Sequence, residues 1–594
     1  MSIRSLLHKP HFLLKLGIVV ILGIIAWFCA VTPRWDTTEV IYPDLYTDYQ
    51  APSSLVQNRS HENGLYWMKF KVAPQLFPLE RLRLRIWGCL DFITTNNREW
   101  NLPTNEKLRC DNQNGMLLRQ ASSTFKEATT WSFSGQTNGG RYGVYLEKDW
   151  TEPILIFALG ILFLVMAGML YSTLPIQNKK WRMFAILILG AGFALRFYSV
   201  FIISPPQITL QSDMAGYFQR AVEILRGEYN LDQNFQPLGY TFWSLLMRAI
   251  GGWELLNWSQ VFASWGTSLL IFLMALEYFG LMAGLFSLIL ATLHFPQISF
   301  ASYHLAECLY TFLLTFAMWW IFRTFKKEQP WKYFVAGLLL MISFYFKGNH
   351  AVFVPLFSIL LLLKDRTDLK KSLRNVSAMA LGCIVIMTPH LAWTQYAYNK
   401  AMPGPTAGGL NFVEGKCPWK NNQDSAGNNW MSPLFNETGE RASKKWPRPF
   451  TDQSYFWGEG IKCVQENPQI MLTSFRYIYY LFAGNELWPA GFNHTFVAVY
   501  GPWKNIYYYL LLPMSLLGFI LLYLRGHKES QVLAMLMLSI FLTVYIFKSE
   551  NRFRVPVDMT LIIWSGYSLS WIFANIRSLF SAKIELPRLE QTDS

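Results

Sequence analysis

The chain has 594 residues, of which 52% are hydrophobic and only 15% are charged. Soluble domains carry roughly 25% charged residues, so this composition excludes an ordinary soluble protein. The formal net charge is +14, but the basic residues are grouped in short segments beside apolar runs. Such grouping follows the positive-inside rule for cytoplasmic loops and argues against nucleic acid as a partner.

The apolar runs predict a polytopic α-helical membrane protein. A spanning helix needs about 20 mainly apolar residues, and threading the candidate runs alternately through a membrane places the basic clusters and both chain ends in the cytoplasm. We therefore predict about 12 transmembrane helices in contact with membrane lipids. The candidate spans are 13–32, 153–172, 182–203, 258–276, 280–296, 304–323, 331–346, 349–364, 374–392, 504–524, 530–547 and 555–577.

These spans divide the chain into five segments. The first is an N-terminal membrane anchor, favoured over a cleaved signal peptide because its apolar stretch exceeds the usual 7–15 residues. It is followed by an exported β-rich domain, a transmembrane core that contains a first exported loop at 204–257, a second exported loop region, and C-terminal transmembrane helices with a short cytoplasmic tail. Their bounds are 1–34, 35–150, 151–392, 393–503 and 504–594.

The exported segment near the N-terminus alternates apolar and polar residues over Leu65–Val72 and Leu82–Trp87. A period of two, interrupted by Asn, Gly and Pro, is typical of short strands. We predict a small β-sandwich-like domain. Packing on the rest of the protein is favoured over glycan binding through its Trp residues.

Four cysteines lie in the exported regions, as two pairs: Cys89 with Cys110, and Cys417 with Cys463. Paired cysteines in an oxidising compartment predict one disulfide in each region. Cys/His zinc spacing is missing from the sequence, and we predict no metal ligand set.

The polar segment after the third span is the first candidate for chemistry. Ser212 or Asp213 is suited to cap an amphipathic interfacial helix that ends at Gly227. Phe235-Gln236-Pro237-Leu238-Gly239-Tyr240 then leads back into an apolar run. From the residues alone, Asp213 is a helix cap.

Four motifs in order resemble the GT-C glycosyltransferases of the protein mannosyltransferase and aminoarabinose transferase type, glycosyltransferase families 39 and 83. The first is D-x-x-x-Y-x-x-x-A from Asp213, followed by Pro237-Leu238-Gly239-Tyr240. The others are the acidic residue that opens a span in His304–Tyr310, the segment Thr388–Gly415 that leaves the membrane, and Arg552-Phe553-Arg554-Val555-Pro556 before the last span. The resemblance covers roughly residues 180–577. Asp213 lacks the following Glu common in protein mannosyltransferases, and a middle soluble domain is missing, which puts a protein acceptor in doubt.

The resemblance implies a GT-C-like fold and transfer of a sugar from a polyprenyl phosphate, with inversion. It implies Asp213 as catalytic base and Glu307 as a second catalytic residue. Cationic groups at exported span ends are candidates for the donor phosphate, because ionisable groups there are costly unless paired or functional: Arg552, Arg554, Lys347 and His350. Tyr217, Arg220, Tyr240 and His304 are candidate substrate-binding residues.

Other functions stay open at this point. A flippase of lipid-linked sugars shares the spans and anion-binding residues, but it should show repeated halves with broken helices. An O-antigen ligase or polymerase should depend on exported Arg and His instead of an early Asp. Nucleotide sugars are not favoured as donors, because neither a P-loop nor a G-x-G-x-x-G before a helix occurs. Some GT-C enzymes use a divalent cation, which stays open here. The acceptor, whether lipid, glycan or protein, is not indicated. We expect a bacterial inner membrane with the active site facing the periplasm, in preference to the endoplasmic reticulum.

Overall fold

The computed structural model describes eight strands between residues 56 and 149, together with residues 168–203, 213–326, 328–364, 368–417, 451–483 and 494–582. Contacts divide the chain into two compact units. The first contains Met1–Gln177, Ser204–Gln211 and Leu246–Trp258. The second contains Asn178–Ile203, Ser212–Leu245 and Ser259–Ser594, and every residue of the candidate site lies in it.

The strands of the first unit form two antiparallel sheets. One sheet has five strands in the order β1-β2-β7-β4-β5, and the other has three in the order β6-β3-β8. The two alternating stretches identified in the sequence correspond to β2 and β3, but face-to-face packing of the sheets as a sandwich stays a prediction. The strands are β1 Val56–Glu62, β2 Leu65–Val72, β3 Arg81–Trp87, β4 Phe92–Thr95, β5 Arg98–Trp100, β6 Ala121–Ser123, β7 Thr129–Gln136 and β8 Gly143–Asp149.

The rest of the described chain is helical. The first eight helices are α1 Lys179–Tyr198, α2 Asp213–Leu225, α3 Gly239–Phe279, α4 Leu281–Thr292, α5 Phe295–Ala301, α6 Ala306–Lys326, α7 Pro330–Phe346 and α8 Phe353–Lys364. They are followed by α9 Leu369–Tyr398, α10 Gly408–Lys416, α11 Gln453–Glu466, α12 Gln469–Thr473, α13 Arg476–Ala483, α14 His494–Leu524, α15 Lys528–Ile546 and α16 Asp558–Ala582.

Six of the described helical segments are long and apolar enough to cross a membrane, and the pair α4 and α5, bent by 49°, gives a seventh candidate. Three further apolar helices are shorter, at Pro330–Phe346, Gly348–Lys364 and Tyr508–Leu524. Together they lie at all the predicted spans from 182–203 onward. The run 13–32 and residues 153–167 lie outside the described residues, so the count of about 12 stays a prediction. The chain is an integral membrane protein.

Two glycines allow α7 and α9 to pack closely. A Cβ added at Gly337 would lie 2.0 Å from the backbone oxygen of Met379, and one added at Gly382 would lie 2.1 Å from that of Phe334. Small residues on facing helices permit such close backbone approach in membrane proteins. The contact lies midway along both helices, and the loops that follow them line the candidate site.

Candidate active site

A cavity of about 1500 Å³ lies where several interhelical loops of the second unit meet. Its walls come from the start of α2, the loop before α3, the loops after α7 and α9, α10, the start of α11, and the segment after α15. Five of the sequence-predicted site residues line it, although they are up to 339 positions apart in the chain: Asp213, Tyr217, Glu307, Lys347 and Arg552.

Asp213 is the first residue of α2, and Ser212, the other candidate cap, lies outside the described residues. Its Oδ2 accepts a hydrogen bond from Arg552 Nη1 at 2.9 Å, and its Oδ1 accepts one from Gln236 Nε2 at 2.8 Å. Burial alone would raise the pKa of this carboxyl, but the charge and hydrogen bond of Arg552, with Lys347 and Gln236, lower the pKa below its usual value. Asp213 is therefore held ionised and able to accept a proton.

Glu307 lies in the first turn of α6 and is 2% exposed. Lys347 Nζ, at the end of α7, donates to its Oε1 at 2.5 Å, and Arg552 Nη1 lies 3.6 Å from the same oxygen. Arg552 thus contacts both carboxylates predicted to be catalytic. A buried carboxylate is costly unless cations and hydrogen bonds surround it.

The ion pairs continue away from Asp213 along the segment after α15. Arg552 Nε also donates to Glu550, and Lys548 Nζ lies 3.0 Å from Glu550 Oε1 and 2.6 Å from Glu414 Oε2 on α10. Burial would lower the pKa of Lys548, but Glu414 and Glu550 raise it above its usual value. In this network, which we call the charge chain, opposite charges alternate: Glu414, Lys548, Glu550, Arg552 and Asp213.

We expect Lys548→Met to destabilise the protein by about 3–5 kcal/mol, because it leaves two buried carboxylates without their shared cation. Thermal unfolding in lipid nanodiscs measures the effect. Lys462→Met is the matched control, since Lys462 is 65% exposed and pairs with Glu459 on its own helix, and it should leave the melting temperature unchanged. Equal melting temperatures for both variants would contradict a structural role for the charge chain.

Arg220 and Tyr240, which were also predicted to bind substrate, contact residues of the cavity wall. Arg220 donates to Gln236 Oε1 at 2.7 Å and lies over the Tyr217 ring, 4.7 Å from its centroid. The buried Tyr240 packs edge-on against Tyr217 with ring centroids 5.0 Å apart. Neither Arg220 nor Tyr240 lines the cavity, so both position residues that do.

Arg554 does not reach the cavity, although it is only two residues from Arg552. Its Nε lies 3.0 Å from Asp558 Oδ1, its Nη1 donates to the Leu481 carbonyl oxygen, and its guanidinium lies 3.9 Å from the centroid of Tyr508. The short 3₁₀ turns Asn551–Phe553 and Val555–Val557 direct the two arginines to different surroundings. Arg554 therefore stabilises the contact between neighbouring elements and does not lie at the predicted phosphate site.

The two predicted histidines also lie behind the cavity wall. His350 is 1% exposed and contacts Tyr310 Oη at 2.9 Å and Ser343 Oγ at 3.0 Å. His304 is buried in the turn before α6 and does not line the cavity. Direct contact with a substrate in this cavity is not available to either side chain as placed.

Cys417 and Cys463 form a disulfide with Cα atoms 5.5 Å apart, as the sequence predicted. It joins the end of α10 to α11, and α10 carries Glu414 of the charge chain. Cys89 and Cys110 lie outside the described residues.

Two contributors to the cavity were not singled out from the sequence. Gln236, in the loop before α3, is bonded to Asp213, and its place in the Phe235–Tyr240 motif is a signal that pointed to it. Lys400, after α9, lines the cavity and is exposed. Among the cavity-lining cations that the structure describes, it is the one without an ion pair. A lone Lys in a polar loop carries no sequence signal.

Metal binding has no strong candidate in the described part of the chain, where no group of three or more His, Cys, Asp or Glu side chains is arranged to hold an ion. The involvement of a divalent cation stays open.

Part of the chain that contributes to the cavity matches a known protein family. Residues 237–393 match the family model of dolichyl-phosphate-mannose-protein mannosyltransferases. The resemblance to this family predicted from the sequence is thereby confirmed for the region that contains Glu307 and Lys347. Asp213 and Arg552 lie outside the matched residues. No curated protein matches the chain significantly.

Several solved membrane glycosyltransferases resemble the structure at low identity. ArnT from Cupriavidus metallidurans bound to undecaprenyl phosphate is 12% identical, with a TM-score of 0.40 over 68% of this chain and 64% of that one. An oligosaccharyltransferase from Archaeoglobus fulgidus is 12% identical, with a TM-score of 0.39 over 67% of this chain and 51% of that one. The chain spans less than two thirds of both. Arabinosyltransferase EmbB from Mycobacterium smegmatis is 11% identical, with a TM-score of 0.27 over 96% of this chain and 66% of that one.

Proposed function

We propose that this protein is a glycosyltransferase that moves a sugar from a polyprenyl-phosphate donor to an acceptor on the exported side of the membrane. The observation that carries the proposal is the convergence of Asp213, Glu307, Lys347 and Arg552 in one cavity at the ends of the helices. A carboxylate base beside paired cations is the arrangement that such a transfer requires. The matched family model names a dolichyl-phosphate-linked sugar, which is consistent with a lipid-phosphate donor.

The proposed reaction is a displacement at the anomeric carbon. The acceptor hydroxyl oxygen attacks that carbon while its proton passes to the Asp213 carboxylate. The bond between the anomeric carbon and the phosphate oxygen breaks, and its electron pair remains on the departing polyprenyl phosphate. Attack opposite the leaving group inverts the configuration. Preorganised cations stabilise the charge that develops on the phosphate.

Arg552 links donor binding to proton transfer in this scheme. Its guanidinium is hydrogen-bonded to Asp213 and lowers the pKa of that carboxyl. A donor phosphate competes for the guanidinium, since Arg is suited to phosphate oxygens. As the contact with Asp213 weakens, the pKa of the carboxyl rises and Asp213 becomes a stronger base. Donor binding would thereby activate the base.

Lys400 supplies the additional positive charge that an anionic donor needs. Arg552 and Lys347 already face carboxylates at 2.9 and 2.5 Å, whereas Lys400 lines the cavity without such a partner among the described residues. We infer that Lys400 contacts the donor phosphate on entry.

We expect Lys400→Ala to raise the KM for the lipid-linked donor about tenfold, as the loss of one charged contact implies, with kcat nearly unchanged. Initial rates over a range of donor concentrations separate the two constants. Lys370→Ala, at the opposite end of α9, removes an exposed lysine far along the same helix and should change neither constant. An unchanged donor KM in Lys400→Ala would exclude Lys400 from donor binding.

The cellular setting follows from the same proposal. We place the protein in a bacterial inner membrane with the cavity facing the periplasm, where a lipid-linked donor is presented and the Cys417–Cys463 disulfide is stable. The acceptor belongs to the cell envelope.

Membranes that contain the protein, supplied with a panel of radiolabelled polyprenyl-phosphate sugars, test the reaction class. We expect transfer from one donor to an endogenous acceptor, and loss of that transfer in Asp213→Asn. If the lipid-linked sugar instead crosses the bilayer unchanged, the protein is a flippase and not a glycosyltransferase.

A further inference from the structure

The cavity is larger than one small substrate needs. Its volume of about 1500 Å³ exceeds the roughly 300–1,000 Å³ typical of a pocket for one small molecule. Asp213, Glu307, Lys347 and Arg552 occupy one part of its lining. The other part has a different chemistry, and it leaves room for a second ligand beside the donor sugar.

This second part, which we call the neutral wall, consists of Asn349, Asn411, Gln453, Phe547 and Ser549. Backbone contacts hold it together. A Cβ added at Gly415 would lie 1.5 Å from the Phe547 backbone oxygen, and one added at Gly409 would lie 2.8 Å from that of Gln453. The Thr543 hydroxyl donates to the Asn349 carbonyl oxygen at 3.0 Å. The loops after α7 and α15 and helices α10 and α11 therefore meet here.

The charged residues next to the neutral wall in the chain already have partners. Lys548 is bonded to Glu414 and Glu550, and the Asp452 carboxylate accepts the backbone N–H of Tyr455. Lys400, the cavity-lining cation without an ion pair among the described residues, is assigned to the donor phosphate. A charged ligand at the wall would have to disrupt these contacts. The wall is therefore suited to an uncharged ligand.

Two polar groups of the wall lack a hydrogen-bond partner in the described structure. The Ser549 side chain is only 2% exposed, and its Oγ is unpartnered. The Nδ2 of Asn349 is also buried and unpartnered. Buried polar groups in native proteins are nearly always hydrogen-bonded, so two unpartnered ones on residues that line the cavity are candidates for contact with a ligand. One hydroxyl and one amide are suited to the donor and acceptor character of sugar hydroxyls.

An aromatic ring completes the wall. Phe547 lines the cavity and is supported by Trp457, with ring centroids 5.8 Å apart, and Trp457 in turn packs on Phe412 at 4.4 Å. A sugar ring carries hydroxyl groups around its edge and C–H groups on its faces. Neutral hydrogen-bonding groups beside a fixed aromatic ring match both features.

We propose that the neutral wall is the acceptor subsite and that the acceptor is a neutral carbohydrate, in preference to a peptide or a charged lipid headgroup. This inference rests on the proposed function for the role of acceptor, but binding at the wall requires no donor. Ser549 and Asn349 select hydroxyl groups, because a ligand without them leaves both side chains unpaired.

Binding of neutral trisaccharides to the full-length protein tests the subsite. The protein is placed in lipid nanodiscs, since glycoside detergents carry the chemistry under test. Calorimetry then compares trimers of mannose, glucose, galactose and N-acetylglucosamine with an acidic trimer of galacturonic acid, a cationic trimer of glucosamine, and a Ser/Thr-containing peptide. We expect one neutral trimer to bind and the charged trimers and the peptide to bind at least tenfold more weakly.

Substitutions in the neutral wall test whether the trimer binds there. Ser549→Ala and Asn349→Leu should each weaken binding of the neutral trimer at least tenfold. Ser549→Ala should leave the melting temperature unchanged, because the Ser549 hydroxyl makes no hydrogen bond to the described residues. Ser454→Ala, which removes an exposed hydroxyl from the same cavity, is the matched control and should bind within twofold of the parent protein.

Four results would overturn the subsite: no binding of any neutral trimer, tighter binding of a charged trimer or the peptide, full binding in both variants, or equal weakening in the Ser454 control. The parent protein separates this inference from the proposed function. Trimer binding by the parent protein without any sugar transfer would refute the proposed reaction and keep the subsite.

Discussion

Replacement of Asp213 by Asn should lower sugar transfer at least about 100-fold, the lower range of what a positioned general base contributes. The amide keeps the size of the side chain but cannot accept the acceptor's proton. It also keeps an oxygen for the hydrogen bond from Arg552 or Gln236, so the fold should be retained. Initial rates in nanodiscs, at equal protein levels and saturating donor, measure the loss as a change in kcat.

Asp452→Asn is the matched control for this substitution. Asp452 lines the same cavity, but its carboxylate caps α11 by accepting the backbone N–H of Tyr455 at 3.2 Å. Asn is also a good N-cap residue, so transfer should remain within about twofold. Full transfer by Asp213→Asn, or equal loss in both variants, would remove Asp213 from the role of base.

Replacement of Arg552 by Met should have the second large effect, a loss of about 10²–10³-fold in kcat, because the departing phosphate loses a preorganised cation. The same change leaves Asp213, Glu307 and Glu550 without a shared partner. Removing one member of a buried ion pair costs about 3–5 kcal/mol, so the melting temperature should also fall. Arg525→Met, which removes an exposed arginine at the end of α14, should change neither quantity strongly.

The pH profile of Arg552→Met distinguishes a role at Asp213 from simple destabilisation. Arg552 lowers the pKa of Asp213 in the folded protein, so its removal raises that pKa. The carboxyl is then protonated at a higher pH, and the acid limb of kcat/KM should move up by about 1–3 pH units. Arg552→Lys should move the limb less, because it retains the charge. An acid limb at the same pH in all three proteins would show that Arg552 does not control this carboxyl.

The predicted residues that line the cavity were found in two ways. Lys347 and Arg552 are cationic groups at the ends of predicted spans, where a charge is costly without a partner, so the hydropathy pattern marks them. Asp213, Tyr217 and Glu307 were predicted from the family motifs, since Asp213 by itself indicates only a helix cap. That these residues line one cavity is a finding of the structure.

Whether a side chain faces the cavity could not be predicted from the sequence. Arg552 and Arg554 belong to one motif, yet the first faces the cavity and the second pairs with Asp558. Arg552 lies within the first of two consecutive 3₁₀ turns and Arg554 lies between the turns, and the geometry of these turns depends on how α15 and α16 pack. His350 is similar, because its bond to Ser343 depends on how the chain turns after α7.

Long-range pairing was equally inaccessible from one sequence. Glu414 and Lys548 are 134 positions apart, and no local pattern links them.

The number of transmembrane helices is difficult to predict for a different reason. Pro330–Phe346 and Gly348–Lys364 were predicted as spans, but both are shorter than the roughly 20 residues that span a bilayer. Hydropathy locates such helices without establishing that each one crosses the membrane.

The stoichiometry of the reaction tests the central claim most directly. Purified protein in liposomes is supplied with a sugar linked to polyprenyl phosphate, labelled separately in the sugar and in the lipid, and with an acceptor. We expect one polyprenyl phosphate released for each sugar transferred, a product with inverted anomeric configuration, and no release in Asp213→Asn. Lipid-linked sugar recovered intact on the other side of the bilayer, or transfer that persists without Asp213, would contradict the proposed reaction.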